Sequence, residues 1–433
     1  MTVTGQGDHR VSRASLAIAA FSTIVEWYDF TLYLYFATVL ARVFYGSGGD
    51  ALLVTLGGFA IAYLMRPLGA VFFGHIGDRH GRRHMLLISV GLMTVAMFAT
   101  ALLPTRAGIG PAAGWLLFAL RCVMGFSVGG EYTGVVAYLL EGARPERRGL
   151  IASSASAASE VGALLAVGIS AITVASITEA QLASWGWRIP FLFGALLAGS
   201  VWIARSAMHE SPEFHRQRDE GTVPAQPLRY ALNHHLPGIA RSFAISALGS
   251  ITYYVGITYV PSFLSSAGSM SESVSLWLST IAAVIVILVT PLVGLWSDHV
   301  GRRPVLIVLA LLSAILPISM FSLMASGAQA QALIGAVVLA AVAGGVSAVG
   351  AVSTAEQFPG EGRVTGLALG ATMATAIFGG LTPWIAQLLV SRSGWSMAPG
   401  AMIALVAVCV LPIFWWMKET APRSSSVNGQ MHD

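Results

Sequence analysis

Charged side chains occur inside long apolar stretches in the first half of the sequence. Six of them lie deep within their stretches: Glu26, Asp29, Arg66, Arg121, Glu131 and Glu160. A lone charge at the centre of a bilayer costs roughly 2.5–3.5 kcal/mol on insertion scales, so such residues need partners and usually have a task. Carboxyl groups can carry protons, and arginines beside them can bind anions. The second half has no charge at this depth, only polar and aromatic side chains such as Tyr253, Tyr254, Tyr259, Thr382 and Trp384.

Glu26 and Asp29 are three residues apart and therefore lie on one face of a helix. Two like charges so close together in a medium of low dielectric constant favour keeping one carboxyl group protonated, which suits a proton carrier. The alternative is that Arg66 or Arg121 neutralises each carboxylate in a structural ion pair. The sequence leaves both interpretations open.

Arg66 lies eight residues, about 12 Å at helical rise, from the nearer end of its apolar stretch. Snorkelling to the membrane surface is conceivable at that depth. We favour a role in holding a substrate or an ion-pair partner.

Arg121 is a permanent cation that can hold a neighbouring carboxylate in its ionised form until a conformational change separates the two. Glu131 follows ten residues later at nearly the same helical azimuth. It is a second candidate for proton exchange, although a carboxylate that closes an ion pair at the membrane surface would give the same pattern.

The sequence around these charges is too apolar for a water-soluble protein. Of 433 residues, 55% are hydrophobic and 10% are charged, and the mean hydropathy is +0.73. A soluble domain carries roughly 25% charged residues. Lipid must therefore solvate most of the chain, and we predict an all-α membrane protein.

Apolar runs of about 20 residues, bounded by charges, glycine or proline, predict twelve transmembrane helices in two bundles of six. The first six lie near residues 15–38, 51–73, 85–103, 114–140, 150–173 and 189–208. The second six lie near residues 239–264, 274–296, 304–325, 331–354, 364–389 and 397–417. The predicted domains are an N-terminal bundle, a polar cytoplasmic linker, a C-terminal bundle and a polar cytoplasmic tail, at 1–208, 209–237, 238–420 and 421–433.

The distribution of basic residues predicts that both termini are cytoplasmic. In that orientation 18 of the 24 basic residues lie on cytoplasmic segments and four lie outside: Arg42, Arg106, Arg188 and Arg392. An excess of arginine and lysine on the cytoplasmic side is the usual pattern in membrane proteins. The N-terminus lacks a cleavage site after a short apolar core, so we interpret the first apolar stretch as a retained helix.

Two segments 220 residues apart repeat the same pattern. The residues that match between Gly74–Arg83 and Gly294–Arg303 are Gly74, Asp78, Gly81, Arg82 and Arg83 in the first and Gly294, Asp298, Gly301, Arg302 and Arg303 in the second. Glycines permit close packing and tight turns, and arginines anchor at anionic lipid headgroups. Each aspartate can cap a neighbouring helix or form a breakable ion pair. We therefore predict a gate at each copy, with Arg79 included in the first.

These segments resemble the G-x-x-x-D-R-x-G-R-R signature of the major facilitator superfamily. The chain as a whole resembles the metabolite:proton symporter branch, which includes carriers of citrate, tricarballylate, α-ketoglutarate, shikimate, phthalates and proline/betaine. The matching stretches are Glu26–Phe30, Met65–Gly69, Arg121–Glu131, Gly186–Phe191 and Ala376–Pro383. The resemblance implies the twelve-helix major facilitator fold, with alternating access about a central cavity.

The resemblance also implies roles for individual residues. Arg66 and Arg188 correspond to arginines that hold an anionic substrate or arrange the cavity, although Arg188 lies at the outer end of its helix and could instead lock an extracellular gate. Arg121 corresponds to an arginine associated with proton coupling. Glu160 departs from the pattern, because many relatives carry a neutral residue there. Glu160 therefore either belongs to the proton path or sets substrate specificity.

We therefore predict a multi-pass carrier of the bacterial inner membrane that imports a small organic acid with protons, most simply a di- or tricarboxylate. The predicted substrate-binding residues are Arg66, Arg121, Glu160, Tyr253, Tyr254 and Tyr259, and those for proton coupling are Glu26, Asp29, Glu131 and Arg121. Symport of a zwitterion such as proline or betaine is the main alternative, followed by aromatic acids such as shikimate. Antiport is disfavoured, because drug:proton antiporters of the superfamily carry a proline-containing motif, G-x-x-x-G-P-x-x-G-G, in the fifth span. Residues 153–170 of this span contain no proline.

Other functional classes find little support in the sequence. It contains no nucleophile–base arrangement, phosphate-binding loop or metal-ligand cluster, and its two cysteines, Cys122 and Cys409, lie in separate apolar runs. We therefore expect no enzyme activity, no cofactor or metal and no nucleic-acid partner. The expected partners are a small organic anion, protons and the lipid bilayer, and the protein is expected to be monomeric.

Overall fold

The computed structural model describes residues 13–80, 82–129, 147–206, 235–358 and 368–421, together with residues 233 and 366. Every regular element in these ranges is helical. Helices α1 to α6 are Arg13–Tyr35, Ala51–Tyr63 continued by Met65–His80, Arg82–Ala101, Ala112–Ser127, Arg148–Ser176 and Arg188–Ser206. Helices α7 to α12 are Leu236–Tyr253 continued by Tyr254–Thr258 and Val260–Ser266, Glu272–Val300, Arg302–Met324, Gln329–Ala355, Ala368–Thr372 continued to Ser393, and Ala398–Trp416.

These helices match the twelve predicted spans one for one. Within the described ranges, nine helices are long and apolar enough to cross a membrane, and α7 makes a tenth across a bend of 44°. The other two are α1, with 23 residues, and α4, of which 16 helical residues are described. The second bundle begins at Leu236, two residues before the predicted boundary at 238. Most of the predicted linker, 209–237, and of the tail, 421–433, lies outside the described residues.

The repeated segments lie mostly between the predicted spans, and in the structure they are mostly helical. In the second copy, α8 continues to Val300 and α9 begins at Arg302, so Gly301 alone forms the turn. Gly301 has a φ of 110°, a conformation that side chains with a Cβ rarely adopt. In the first copy, α2 continues to His80 and α3 begins at Arg82. In the second copy, Gly294, Gly301 and Arg302 are buried.

The outer surface of the protein is apolar. Large hydrophobic side chains are strongly exposed on several helices, including Trp115, Leu196, Leu292 and Trp416. Exposure of such a surface to water is unfavourable, whereas lipid solvates it. Helices suit the hydrocarbon because they make their backbone hydrogen bonds internally.

Irregular helical turns occur where α7 and α11 approach the first bundle. Tyr254–Thr258 in α7 and Ala376–Leu381 in α11 are π-helical turns, a type that is frequent at functional sites. A Cβ at Gly379 would lie 2.8 Å from the Tyr254 ring, and one at Gly380 would lie 2.6 Å from Cβ of Tyr63. The two glycines of α11 therefore make room for this pair of tyrosines at the bundle interface.

Candidate functional site

Arg66 lies between the bundles, just after the interruption of α2 at Leu64. Its Nη2 is 3.2 Å from Glu26 Oε1, and its Nη1 donates a hydrogen bond to the Tyr63 hydroxyl at 2.9 Å. The guanidinium also lies 4.1 Å from the centroid of the Phe30 ring. The side chain is only 12% exposed, and its Nε has no hydrogen-bond partner among the described residues. A buried guanidinium with a spare donor can accept a further anionic partner.

A pair of tyrosine hydroxyls connects Arg66 with the second bundle. The hydroxyls of Tyr63 and Tyr254 are 2.9 Å apart, and their rings meet edge to face at 5.6 Å. Both side chains are buried. A change at Arg66 can therefore alter a contact that holds α2 against α7.

Asp29 and Arg121 form a second ion pair, deeper in the first bundle. Asp29 Oδ2 is 3.5 Å from Arg121 Nη1, a long separation, and Arg121 Nη2 also donates to Thr100 at 3.4 Å. The other carboxylate oxygen of Asp29 and Nε of Arg121 have no hydrogen-bond partner among the described residues. A cavity of ≈ 10 Å³, about the space that one water molecule needs, adjoins both residues. This buried pair is therefore loose, and the space beside it is about that of one water molecule.

The structure therefore settles how the four central charges pair. Glu26 pairs with Arg66, and Asp29 pairs with Arg121. The sequence left this assignment open.

Glu160 occupies a separate position, where α5 meets α1 and α7. Its carboxyl group is 4% exposed and forms no ion pair with any described arginine or lysine. The hydroxyls of Tyr253 and Tyr35 lie near it, although neither makes a well-formed hydrogen bond within the described part of the chain. Trp27 packs edge to face on Tyr253, with ring centroids 5.4 Å apart. Glu160 is thus a buried acid enclosed by aromatic side chains of both bundles.

One end of the bundle pair, here named the repeat end, carries the two repeated segments. There Asp298 accepts hydrogen bonds from the backbone amides of Gly149 and Leu150, both at 2.9 Å, and so caps the N-terminus of α5 in the other bundle. Asp298 also pairs with Arg302 at 2.7 Å. It therefore both caps a helix and forms an ion pair, as the sequence predicts for this aspartate. A Cβ at Gly294 would overlap the Ser153 side chain, so this glycine allows α8 and α5 to meet.

Residues beyond α10 and α12 extend this network. Glu419 accepts hydrogen bonds from the backbone amides of Arg302 at 2.8 Å and Arg303 at 3.0 Å, which caps α9. Glu356 lies 3.4 Å from Arg302 Nε and accepts a hydrogen bond from Thr420 at 2.7 Å. Burial raises the pKa of Glu356 above its usual range, and Arg302 beside it acts in the opposite direction. The second repeat is thus stabilised by Glu356, at the end of α10, and by Glu419, close to the end of the described chain.

Two ion pairs join the bundles at the opposite end. Arg42 of the first bundle makes a two-pronged pair with Glu272 of the second, with Nη2 and Oε2 2.8 Å apart. Arg392 of the second bundle lies 3.4 Å from Asp50 of the first. The bundles therefore contact each other at both ends, and aromatic side chains fill the centre.

Two of the predicted site residues have other contacts. Arg188 donates to the backbone carbonyls of Ser184 and Leu103, at 2.7 and 2.8 Å, both within the first bundle. In this conformation Arg42 and Arg392, not Arg188, make the ion pairs between the bundles at this end, and the gating role of Arg188 stays a prediction. The Tyr259 hydroxyl donates to Gln387 at 2.8 Å inside the second bundle, so this tyrosine is occupied by a structural contact away from Arg66.

Several predicted residues cannot be placed. Glu131 and Gly81 lie outside the described residues, and the side chains at Gly74, Asp78, Arg79, Arg82 and Arg83 are likewise not described. Their predicted roles in gating and proton coupling stay predictions. Within the described ranges, no group of three histidine, cysteine, aspartate or glutamate side chains could hold a metal ion.

Several residues that lie in the site or at its ends carry no clear signal in the sequence. Tyr63 and Trp27 look like ordinary members of apolar helices, and only their contacts with α7 reveal them. Glu272, Asp50 and Glu419 look like solvated loop charges. The signal that could have identified Glu272 and Asp50 is the presence of acidic residues at the same end as the four arginines assigned to the outside.

Replacing Asp298 by asparagine should slow transport without weakening substrate binding. The variant loses the charged acceptor of two backbone amides, an interaction of about 1.5–3 kcal/mol for a charged group, so closure at the repeat end becomes less favourable. We expect turnover to fall roughly tenfold, which corresponds to 1.4 kcal/mol, while the substrate Kd changes less than about twofold. Uptake kinetics and equilibrium binding to the purified protein measure the two effects. His299→Ala, on the exposed neighbouring side chain, is the control, and loss of binding with unchanged turnover would contradict the prediction.

Comparison with known proteins agrees with this architecture. Residues 16–227 match the family model "Sugar (and other) transporter", and residues 258–432 match "Major Facilitator Superfamily". The chain is 32% identical to the glycine betaine/proline/ectoine/pipecolic acid transporter of Dickeya dadantii, over 95% of this chain and 84% of that protein. It is 33% identical to the α-ketoglutarate permease of Escherichia coli, over 86% of each chain.

A solved structure has the same fold. The xylose transporter XylE of Escherichia coli, in a partially occluded inward-open conformation, superposes with a TM-score of 0.74. The superposition covers 95% of this chain and 99% of XylE, at 21% sequence identity. The curated relatives are transporters, in agreement with the prediction that the chain is not an enzyme. This multi-pass membrane protein therefore belongs to the major facilitator superfamily, in its branch of proton-coupled metabolite symporters.

Proposed function

We propose that the protein imports a small carboxylate-bearing solute together with protons, by alternating access across the bacterial inner membrane. The repeat end faces the cytoplasm, as do both termini, and the opposite end faces outward. Residues 209–237, of which the last two already belong to α7, join the two bundles, and a single chain is the transporting unit. The excess of basic residues on one set of connecting segments supports this orientation.

The observation that carries this proposal is Arg66. Its guanidinium is buried at the bundle interface, keeps a donor free and is linked through Tyr63 to the second bundle. A solute carboxylate that binds Arg66 would compete with Glu26 and disturb the contact between the tyrosines. Anion binding would in this way favour movement of the bundles, because it weakens the contact between Tyr63 and Tyr254 that holds them together in this conformation.

Proton coupling is assigned to the pair of Asp29 and Arg121. A buried ion pair is favourable only with good geometry, and this one has a long separation and unpartnered atoms on both sides. Protonation of Asp29 would release Arg121, and deprotonation would restore the pair. Each cycle could then carry a proton with the solute.

The relatives support a carboxylate substrate and divide over its class. The Dickeya dadantii relative is named for glycine betaine, proline, ectoine and pipecolic acid, and the Escherichia coli relative is named for α-ketoglutarate. All of these compounds carry a carboxylate. An organic acid, including a di- or tricarboxylate such as citrate, and a zwitterion are therefore the two candidate classes.

Uptake into proteoliposomes tests this proposal. The purified protein is reconstituted and given an inward proton gradient with labelled glycine betaine, proline, α-ketoglutarate and citrate, each in a separate assay. We expect accumulation of at least one of them above its external concentration, and collapse of that accumulation when a protonophore is added. Accumulation that persists unchanged without the gradient would reject proton coupling, and transport of none of these carboxylates would reject the substrate assignment.

A further inference from the structure

Near the centre of the described structure, the carboxyl groups outnumber the arginines by one. The acids are Glu26, Asp29 and Glu160, and the arginines are Arg66 and Arg121. Glu26 and Asp29 each face an arginine, whereas Glu160 has no cationic partner there. An ionised carboxylate buried without a counter-charge is unfavourable. A bound ligand that brings its own positive charge would supply the missing partner.

The groups around Glu160 suit an ammonium ion. Trp27 and Tyr253 present aromatic rings at 5.4 Å from each other, and the hydroxyls of Tyr35 and Tyr253 are buried without a well-formed hydrogen bond among the described residues. Aromatic rings attract ammonium groups through their negative faces, and quaternary ammonium ions are often bound in this way. A carboxylate among such rings provides both the charge and the apolar surface that such a cation requires.

The position of this cluster relative to Arg66 suits a substrate that carries a positive group at one end and a negative group at the other. The rings of Tyr253 and Tyr254 are neighbours, 5.3 Å apart. Tyr254 leads through the Tyr63 hydroxyl to Arg66, whereas Tyr253 faces Glu160. Arg66, the cationic group of the site, and Glu160, its anionic group, therefore lie on either side of two adjacent tyrosines. Both poles lie at the bundle interface, which alternating access would open to water.

We propose that Glu160, Trp27 and Tyr253 form a subsite for a cationic ammonium group. The transported solute is then a zwitterion whose carboxylate binds Arg66, an inference that rests on the proposed function and specifies its substrate class. A tricarboxylate is disfavoured because it would add three negative charges where carboxylates already outnumber arginines. Glu160 is thus the residue that selects zwitterions over organic acids.

The test compares two classes of solute in one variant. Uptake of labelled glycine betaine and of α-ketoglutarate is measured with wild-type protein, Glu160→Gln and Glu160→Asp in proteoliposomes with a proton gradient. We expect Glu160→Gln to raise the KM for glycine betaine at least tenfold, and not to raise the KM for any uptake of α-ketoglutarate. Glu160→Asp should recover most of the affinity for glycine betaine. Glu179→Gln, the same change at an exposed position in the first bundle, is the matched control.

A measurement on the wild-type protein makes the test independent of whether the variants fold. Tetramethylammonium has the cationic pole without a carboxylate, and we expect it to inhibit uptake of glycine betaine competitively. If it does not compete, the proposal is overturned. An equal loss for both solutes in Glu160→Gln would overturn it as well. The proposal would also be overturned if Glu160→Gln lost proton-driven accumulation but kept counterflow, because Glu160 would then be the proton carrier. Proton-driven uptake of α-ketoglutarate but not of glycine betaine by the wild-type protein would reject this subsite and leave the proposed function intact.

Discussion

Replacing Arg66 by alanine is expected to raise the KM for the transported solute by about 100-fold or more. Truncating one partner of a buried, hydrogen-bonded charge pair costs about 2–5 kcal/mol, and each 1.4 kcal/mol is a factor of ten in affinity. The change removes the only arginine that contacts both Glu26 and the tyrosine link between the bundles in the described structure. Equilibrium binding and uptake kinetics in proteoliposomes measure the effect.

Controls separate loss of binding from loss of folding. Arg66→Ala leaves Glu26 buried without its arginine, so the melting temperature in detergent should also fall. The double variant Arg66→Ala, Glu26→Gln removes that unbalanced charge, and we expect it to recover stability without recovering binding. Arg66→Lys keeps the charge but loses the fork of donors, and should have intermediate affinity. Arg106→Ala, in the short helix Arg106–Ile109, controls for removal of an arginine. Wild-type affinity in Arg66→Ala would refute the role as carboxylate anchor.

Replacing Asp29 by asparagine is expected to abolish accumulation against a gradient while exchange of substrate continues. Asparagine has nearly the same shape but cannot carry a proton at this position. The carrier should therefore still bind solute and move between its two states, and uptake should stop when the internal concentration equals the external one. Proton influx, followed with a pH-sensitive dye inside the vesicles, should no longer accompany uptake.

Counterflow provides the essential comparison for this variant. Vesicles loaded with unlabelled solute should still take up labelled solute through Asp29→Asn, at a rate within about tenfold of wild type, the loss that 1.4 kcal/mol would cause. Asp29→Glu restores a titratable group and should restore some accumulation. Accumulation at the wild-type level in Asp29→Asn would assign the proton to another carboxylate.

The sequence predicted the elements of this protein well, because each membrane span carries its signal within about twenty residues. The repeated segments also indicated that each aspartate can cap a helix or form an ion pair, and Asp298 does both. The pairing of Glu26 and Asp29 needed the structure. Residues three apart on a helix point about 60° apart, since each residue turns the helix by about 100°. One carboxylate can therefore reach α2 while the other reaches α4.

The contacts between the bundles could not be predicted from local patterns. Arg42 and Glu272 are 230 positions apart in sequence, and Arg392 and Asp50 are 342 apart. No helical periodicity relates such residues, so which arginine finds which acid depends on the relative position of the bundles. The contacts of Arg188 depend on tertiary packing in the same way. In this conformation its guanidinium group joins two segments of its own bundle.

The contacts at both ends of the bundle pair have a consequence for the proton gradient of the cell. Moving one elementary charge through a membrane potential of 100 mV releases about 2.3 kcal/mol, so an open path for ions would dissipate the gradient that drives uptake. In this conformation the bundles meet at three levels: the pair of Arg42 and Glu272 lies at one end, Asp298 at the start of α5 lies at the other, and aromatic rings fill the middle. We therefore expect the reconstituted protein to conduct no ions in this state when no solute is present.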